Sequence, residues 1–112
     1  MSAFQKDYIL RLIETIAAIL ARIAVLRENG ESEEAKAELE RAYGLLLGSQ
    51  DDIVRRVDPA TAAVLLGSSE KIHVLALLVD EEAEQEEDEG RRDLLRARAA
   101  GLRAQAAPGE PS

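Results

Sequence analysis

The sequence predicts an all-α protein of two long antiparallel helical hairpins joined by two short helices. Three observations carry that expectation. Apolar residues recur three and four apart along most of the chain, the spacing that collects side chains on one face of a helix. Aromatic residues are 3% of the chain against 46% hydrophobic overall, so the core must be built of Leu, Ile, Val and Ala. Glycines stand singly between the periodic segments, where a left-handed residue commonly ends a helix. At 112 residues the chain is long enough for one modest core. Residues 1–106 are expected to form a single helical domain, and 107–112, Ala-Pro-Gly-Glu-Pro-Ser, a disordered tail.

The first helix is expected from about Ala3 to Asn29, stopped by Gly30. Ile9, Leu12, Ile13, Ile16, Leu20 and Ile23 form its apolar stripe, widened by Tyr8, Ile19 and Leu26. Leu10 and Val25 fall off the stripe. The second helix restarts at once, with Ser32 as the expected cap and Glu33 and Glu34 in the first turn, where the helix dipole favours acids. Its buried stripe is Ala35, Leu39, Ala42, Tyr43 and Leu46, and Gly48 stops it. A link this short sets the two helices antiparallel.

The middle segment is choppier. Asp51 offers a cap, with Ile53 and Val57 as a one-turn apolar pair. Asp58-Pro59 is a strong helix start, and Gly67 an end. Ser68 or Ser69 then caps a helix containing Ile-His-Val-Leu-Ala-Leu-Leu-Val, apolar nearly all round and so expected to be central. Its stripe runs Ile72, Leu75, Val79, Ala83. After Gly90, Leu95, Ala99, Leu102 and Ala106 repeat at helical spacing.

Charge is distributed unevenly. Of the formal net −8, residues 80–89 hold all eight units, residues 1–79 hold −3 and residues 90–112 hold +3. If a helix ends at Gly90, acids crowd its C-terminus and Arg91 and Arg92 open the next, both against the helix dipole at about 0.3–1 kcal/mol per charge. A fold-back at Gly90 offsets this by setting Glu84 near Arg96 and Glu82 near Arg98. The rival geometry is one helix straight through Gly90, with Glu87–Arg91 and Asp88–Arg92 as neighbours four apart.

Aligning Gly30 with Gly90 superposes Ala35, Leu39 and Ala42 on Leu95, Ala99 and Leu102. The stretch Glu28–Leu47 resembles the turn and second helix of a tetratricopeptide repeat, with small residues at Ala35 and Ala42. The second copy departs from that pattern at Leu95 and Glu86, and the copies lie 60 residues apart, unlike a tandem array. The stretch from Phe4 to Ala35 also resembles a family of short bacterial helical proteins of unknown function. That resemblance implies a helical, repeat-like protein and transfers no activity or site residues.

The absence of cysteine excludes disulfides, thiolate metal sites and a thiol nucleophile, and fits a reducing cytoplasm, the expected location. Lys6, Asp7, Arg11 and Glu14 interrupt the first apolar helix, so no membrane span or signal segment is expected. A chain this acidic is a poor binder of nucleic acid. No nucleophile constellation, phosphate loop or cofactor motif is present, and neither catalytic residues nor cofactors are expected. The acidic run lacks the alternating ligands and turn glycine of a dedicated calcium loop.

Two function classes follow. The first is a non-catalytic interaction or scaffolding module, self-associating through the first helix as a homodimer or small homo-oligomer, its protein partner unidentified. Leu10, Val25 and the aliphatic face around Leu77 are its candidate contacts. The alternative is a carboxylate-rich metal-binding helical bundle centred on Glu70, His73 and Glu14, since Glu-x-x-His is the spacing used by di-metal carboxylate bundles.

Overall fold

The computed structural model of the chain describes residues 3–106. The expected tail, 107–112, lies outside them. Every regular element described is helical. In order these are α1 (Ala3–Glu28), α2 (Ser32–Leu47), α3 (Asp51–Val54), α4 (Pro59–Leu66), α5 (Ser69–Gln85) and α6 (Glu89–Ala106), with one 3-10 turn, Gly48–Gln50, leading into α3.

Local chemistry sets most boundaries. Gly30 sits at φ 76°, a conformation that would strain any other L-residue. Asp58 accepts hydrogen bonds from the backbone N–H groups of Ala60 and Thr61, and Pro59 opens α4 where a missing N–H costs nothing. Gly67 ends α4 in the left-handed region. Ser68 Oγ accepts from Lys71 N at 3.2 Å and starts α5. Two expected caps fail. Ser32 is already the first residue of α2, preceded by Glu31 without a side-chain cap. Asp51 likewise lies inside α3.

The fold-back between α5 and α6 exists, but not at Gly90. Helix α5 ends at Gln85, residues 86–88 turn, and Gly90 is the second residue of α6. Its φ is not positive. Asp88 is the physical reason. Its Oδ2 accepts from Arg91 N at 2.9 Å and its carbonyl from Arg92 N at 2.9 Å, a side-chain cap of the kind worth about 0.5–2 kcal/mol. Moving the break to residues 86–88 reduces the expected dipole penalty, although Glu82 and Glu84 stay in the last turn of α5 and Arg91 and Arg92 in the first turn of α6. Asp88 and Glu89 now stand at the positive end of α6. Arg92 turns back so that Nε and Nη2 donate to the Glu86 carbonyl at 3.1 and 2.9 Å, placing positive charge on the C-terminal end of α5. A continuous rod through Gly90 is ruled out.

Helix α1 packs along α2, and α6 packs along α5, while α5 also touches α1, α2 and α4. The expected central position of α5 holds. Ile72, Val74, Leu75, Ala76, Leu78, Val79 and Ala83 are all buried. All of these but Ala83 share one core with Ile16, Ile19, Ile23 and Leu26 of α1, Leu39 and Tyr43 of α2, Val54, and Ala99 and Leu102 of α6. Ala35 and Ala42 are fully buried, as small residues at those positions should be. Two stripe assignments fail. Tyr8 is 60% exposed, because α1 outruns the 16-residue α2 that covers its other end. In α3, Val54 and not Ile53 turns inward.

Candidate interaction surfaces and the charge network

Much of the acidic run is paired with groups of its own chain, at the surface. Asp80 pairs with Arg103. Glu81 and Glu84 both lie near Arg27 of α1, at 3.6 and 3.2 Å, and Glu84 also accepts from Arg96 at 2.9 Å. Glu86 faces Arg91 at 3.6 Å, and Asp88 caps α6. The expected Glu84–Arg96 contact is therefore present. The expected Glu82–Arg98 contact is replaced by two others.

Glu82 Oε1 accepts from the Tyr43 hydroxyl at 2.6 Å and lies 3.9 Å from Arg55. Arg98 instead donates to the carbonyls of Val57 and Val54, at 2.5 and 2.7 Å. The reason is the turn. Once α6 starts at Glu89 and crosses α4, Arg98 reaches the end of α3, and Glu82 is left facing α2.

Glu82 belongs to the densest polar cluster described. Tyr43 is 1% exposed, and the Arg55 guanidinium lies 3.8 Å from its ring centroid. Arg55 holds Glu40 in a two-pronged pair at 2.9 and 3.0 Å. Burial first, then the adjacent Glu82 carboxylate, push the Tyr43 hydroxyl far above the usual phenol range. Tyr43 therefore keeps its proton and serves as a donor, not as a phenolate. The hydrogen bond from Arg55 holds Glu40 below the usual carboxylate range. A recess of about 90 Å³ opens beside the cluster, lined by Leu75, Val79, Leu95 and Arg98. The arrangement can fasten α2, α3 and α5 together. It offers no free base, nucleophile or oxyanion donor pair.

Sequence reasoning misses this cluster. Tyr43 is expected in the core, but its partners lie 12 and 39 residues away, and nothing in their spacing announces them.

The metal candidates do not converge. Glu14, Glu70 and His73 are all exposed. Glu70 accepts from the Ser68 hydroxyl at 3.0 Å, and bonds at the start of α5 hold its carboxyl below the usual range. Among the described residues no group of three or more His, Asp or Glu side chains is placed to hold a metal ion. At the α5–α6 turn an open cleft of about 570 Å³ is lined by Arg27, Lys36 and Arg92 together with Glu33, Glu84 and Glu87. Its mixed signs single out no ligand.

The candidate contact residues stand on the surface. Leu10 is 48% exposed, Val25 54% and Leu77 48%. Val64 and Leu94 are more exposed still, and periodicity does not single them out because each lies on a helix whose other face is buried. None of the described helices is long and apolar enough to cross a membrane. No protein-family model, curated protein or solved structure matches the chain.

Proposed function

We propose that this chain is a non-catalytic, self-associating protein-interaction module. One observation supports the reading above others. Many of the charges that could have formed a recognition surface are paired with one another at the surface, while Leu10, Val25 and Leu77 remain unpartnered on two of the longest helices. An apolar side chain left half-exposed on a long helix is the ordinary raw material of a helix–helix interface. The reading includes a homodimer or small homo-oligomer, a cytoplasmic location, and kinship with short bacterial helical proteins built of tetratricopeptide-like hairpins. It includes no nucleic-acid or membrane partner.

Sedimentation equilibrium across a wide protein concentration range tests the proposal. A mass that rises above 12.2 kDa with concentration is expected. A monomer throughout would overturn self-association. Nothing in the geometry favours the metal-binding alternative, and elemental analysis of protein purified without chelator gives it a direct test.

A further inference from the structure

Helix α1 carries a second apolar seam that its own chain leaves largely open. Leu10, Ile13, Ala17, Leu20 and Ala24 recur three and four apart, the spacing of a coiled-coil contact line, with Ala21 beside them. Leu10, Ala17, Ala21 and Ala24 are exposed, and Ile13 and Leu20 are half-buried at the edge. No charged residue occupies these positions between Lys6 and Arg27.

We propose that this seam pairs with the same seam of a second copy, antiparallel, about a two-fold axis at Ala17. The inference rests on the self-association reading and names its surface. Register and direction come from residue type. Centred on Ala17, an antiparallel pair sets Leu10 opposite Ala24 and Ile13 opposite Ala21, a large side chain meeting a small one in those layers, while Ala17 meets its own copy and Leu20 meets the aliphatic stem of Glu14 at the edge. The same register sets Lys6 opposite Glu28 at both ends. Both side chains are exposed, and among the described residues neither takes part in an ion pair.

A parallel pair would oppose Lys6 to Lys6 and Glu28 to Glu28. It would also bring two acidic ends of α5 together. Helix α5 runs in the same direction as α1, with Glu70 within the electrostatic reach of Lys6 and Glu84 beside Arg27. The antiparallel pair sends those acidic ends to opposite poles. Val25 lies on another flank of α1, outside the seam.

The full-length chain is tested by sedimentation equilibrium, with circular dichroism confirming that each variant is folded. Ala17→Glu sets two carboxylates against each other at the axis and should weaken association roughly a hundredfold, since like-charge juxtaposition costs several kcal/mol. Lys6→Glu and Glu28→Lys should each weaken it roughly threefold to tenfold, and the double variant should restore it. Val64→Glu, at a residue 80% exposed on α4, should leave it unchanged. Because the native chain has no cysteine, Ala17→Cys gives a single thiol, expected to form a self-disulfide within the roughly 4–7 Å Cα reach of such a bond. Loss of association in Val64→Glu but not in Ala17→Glu would overturn the seam while leaving self-association standing. Failure of the double charge reversal to restore the dimer would overturn the antiparallel register. A monomeric wild type would overturn both.

Discussion

Gly90 and Gly101 lie on the same helix, yet a methyl group added to each meets different surroundings. At Gly90 the backbone is helical, and the nearest atom to an added Cβ is Asp88 Oδ2 at 3.4 Å, an ordinary contact. Gly90→Ala should therefore stabilise the protein by about 0.4–1 kcal/mol, mainly by restricting the unfolded chain. At Gly101 the Cβ would stand 2.9 Å from Pro59 Cγ and 3.3 Å from Pro59 Cβ. That proline is a stiff ring fixed at the start of α4, so the clash cannot be relieved by a rotamer. Gly101→Ala should destabilise, because overpacking costs about 1–3 kcal/mol against a helix-propensity gain of about 1. Urea unfolding of the two variants reads both signs. Destabilisation by Gly90→Ala would put the chain break back at the glycine. Tyr43→Phe tests the buried hydroxyl in the same assay. Bonds to charged groups contribute about 1.5–3 kcal/mol, and Arg55 at 3.9 Å remains to partner Glu82. A loss of about 1–2 kcal/mol is expected, and no loss would mean that the contact is incidental.

Among the helices, α3 is the one least able to exist alone. Its four residues fall far below the length at which an isolated helix persists in water. It is held by Val54 in the core and by Arg98, whose guanidinium takes the Val54 and Val57 carbonyls that helical bonding leaves free. Arg98→Met keeps the aliphatic stem and removes both bonds. It should lower hydrogen-exchange protection by roughly 1.5–3 kcal/mol across residues 51–58, with α1 and α2 changed much less. Equal loss everywhere would show that α3 does not open on its own. This corner also marks the limit of what the sequence makes legible. The ends of α1 and α4 and the start of α5 are readable because Gly30, Asp58-Pro59, Gly67 and Ser68 act within a turn of themselves. The Glu84–Arg96 pair forms as symmetry about Gly90 suggests, although the turn at 86–88 is not midway between the two residues, so the fold-back is readable and its centre is not. The position of that turn is not readable. Gly90 and Asp88 are rival signals two residues apart, and Arg92 favours the earlier break through carbonyls that only the folded chain places. The Arg98 and Tyr43 contacts span about forty residues, so no local pattern could report them. Of the surface, the exposure of Leu10 and Val25 is legible from their being off-stripe, whereas that of Leu77 is masked by the apolar residues all round its helix.

Across the whole molecule, a net charge of −8 is folded so that opposite signs meet between helices, and this fixes the direction of the acid response. Glu40 is held below the usual carboxylate range by Arg55, Asp58 by its bonds to Thr61, and Glu70 by bonds at the start of α5. A carboxyl whose pKa is lower in the folded state adds stability that is fully present above its unfolded pKa, near 4. That contribution is lost as pH falls through the folded value. Glu34 works in the opposite sense, since its hydrogen bond with Glu31 raises it and protonation brings relief. Three lowered groups against one raised group predict a net loss of stability on acidification from about pH 5 to pH 2. The Glu40 share can be isolated. Its side chain is 60% exposed, so solvent screening limits that share to about 1 kcal/mol or less. Glu40→Gln removes the titrating group while leaving Arg55 over the Tyr43 ring. Unfolding free energies of the wild type and Glu40→Gln, measured from pH 7 to pH 2, should differ most at neutral pH and converge as the wild-type carboxylate takes up its proton. Arg55→Met removes the same acid-sensitive share together with the stacking on Tyr43, which does not titrate in this range. Its curve should also approach the wild type on acidification, but stop short of meeting it. Curves that stay parallel to the wild type for both variants would show that Glu40 gains nothing from Arg55, and that the cluster is held by Tyr43 alone.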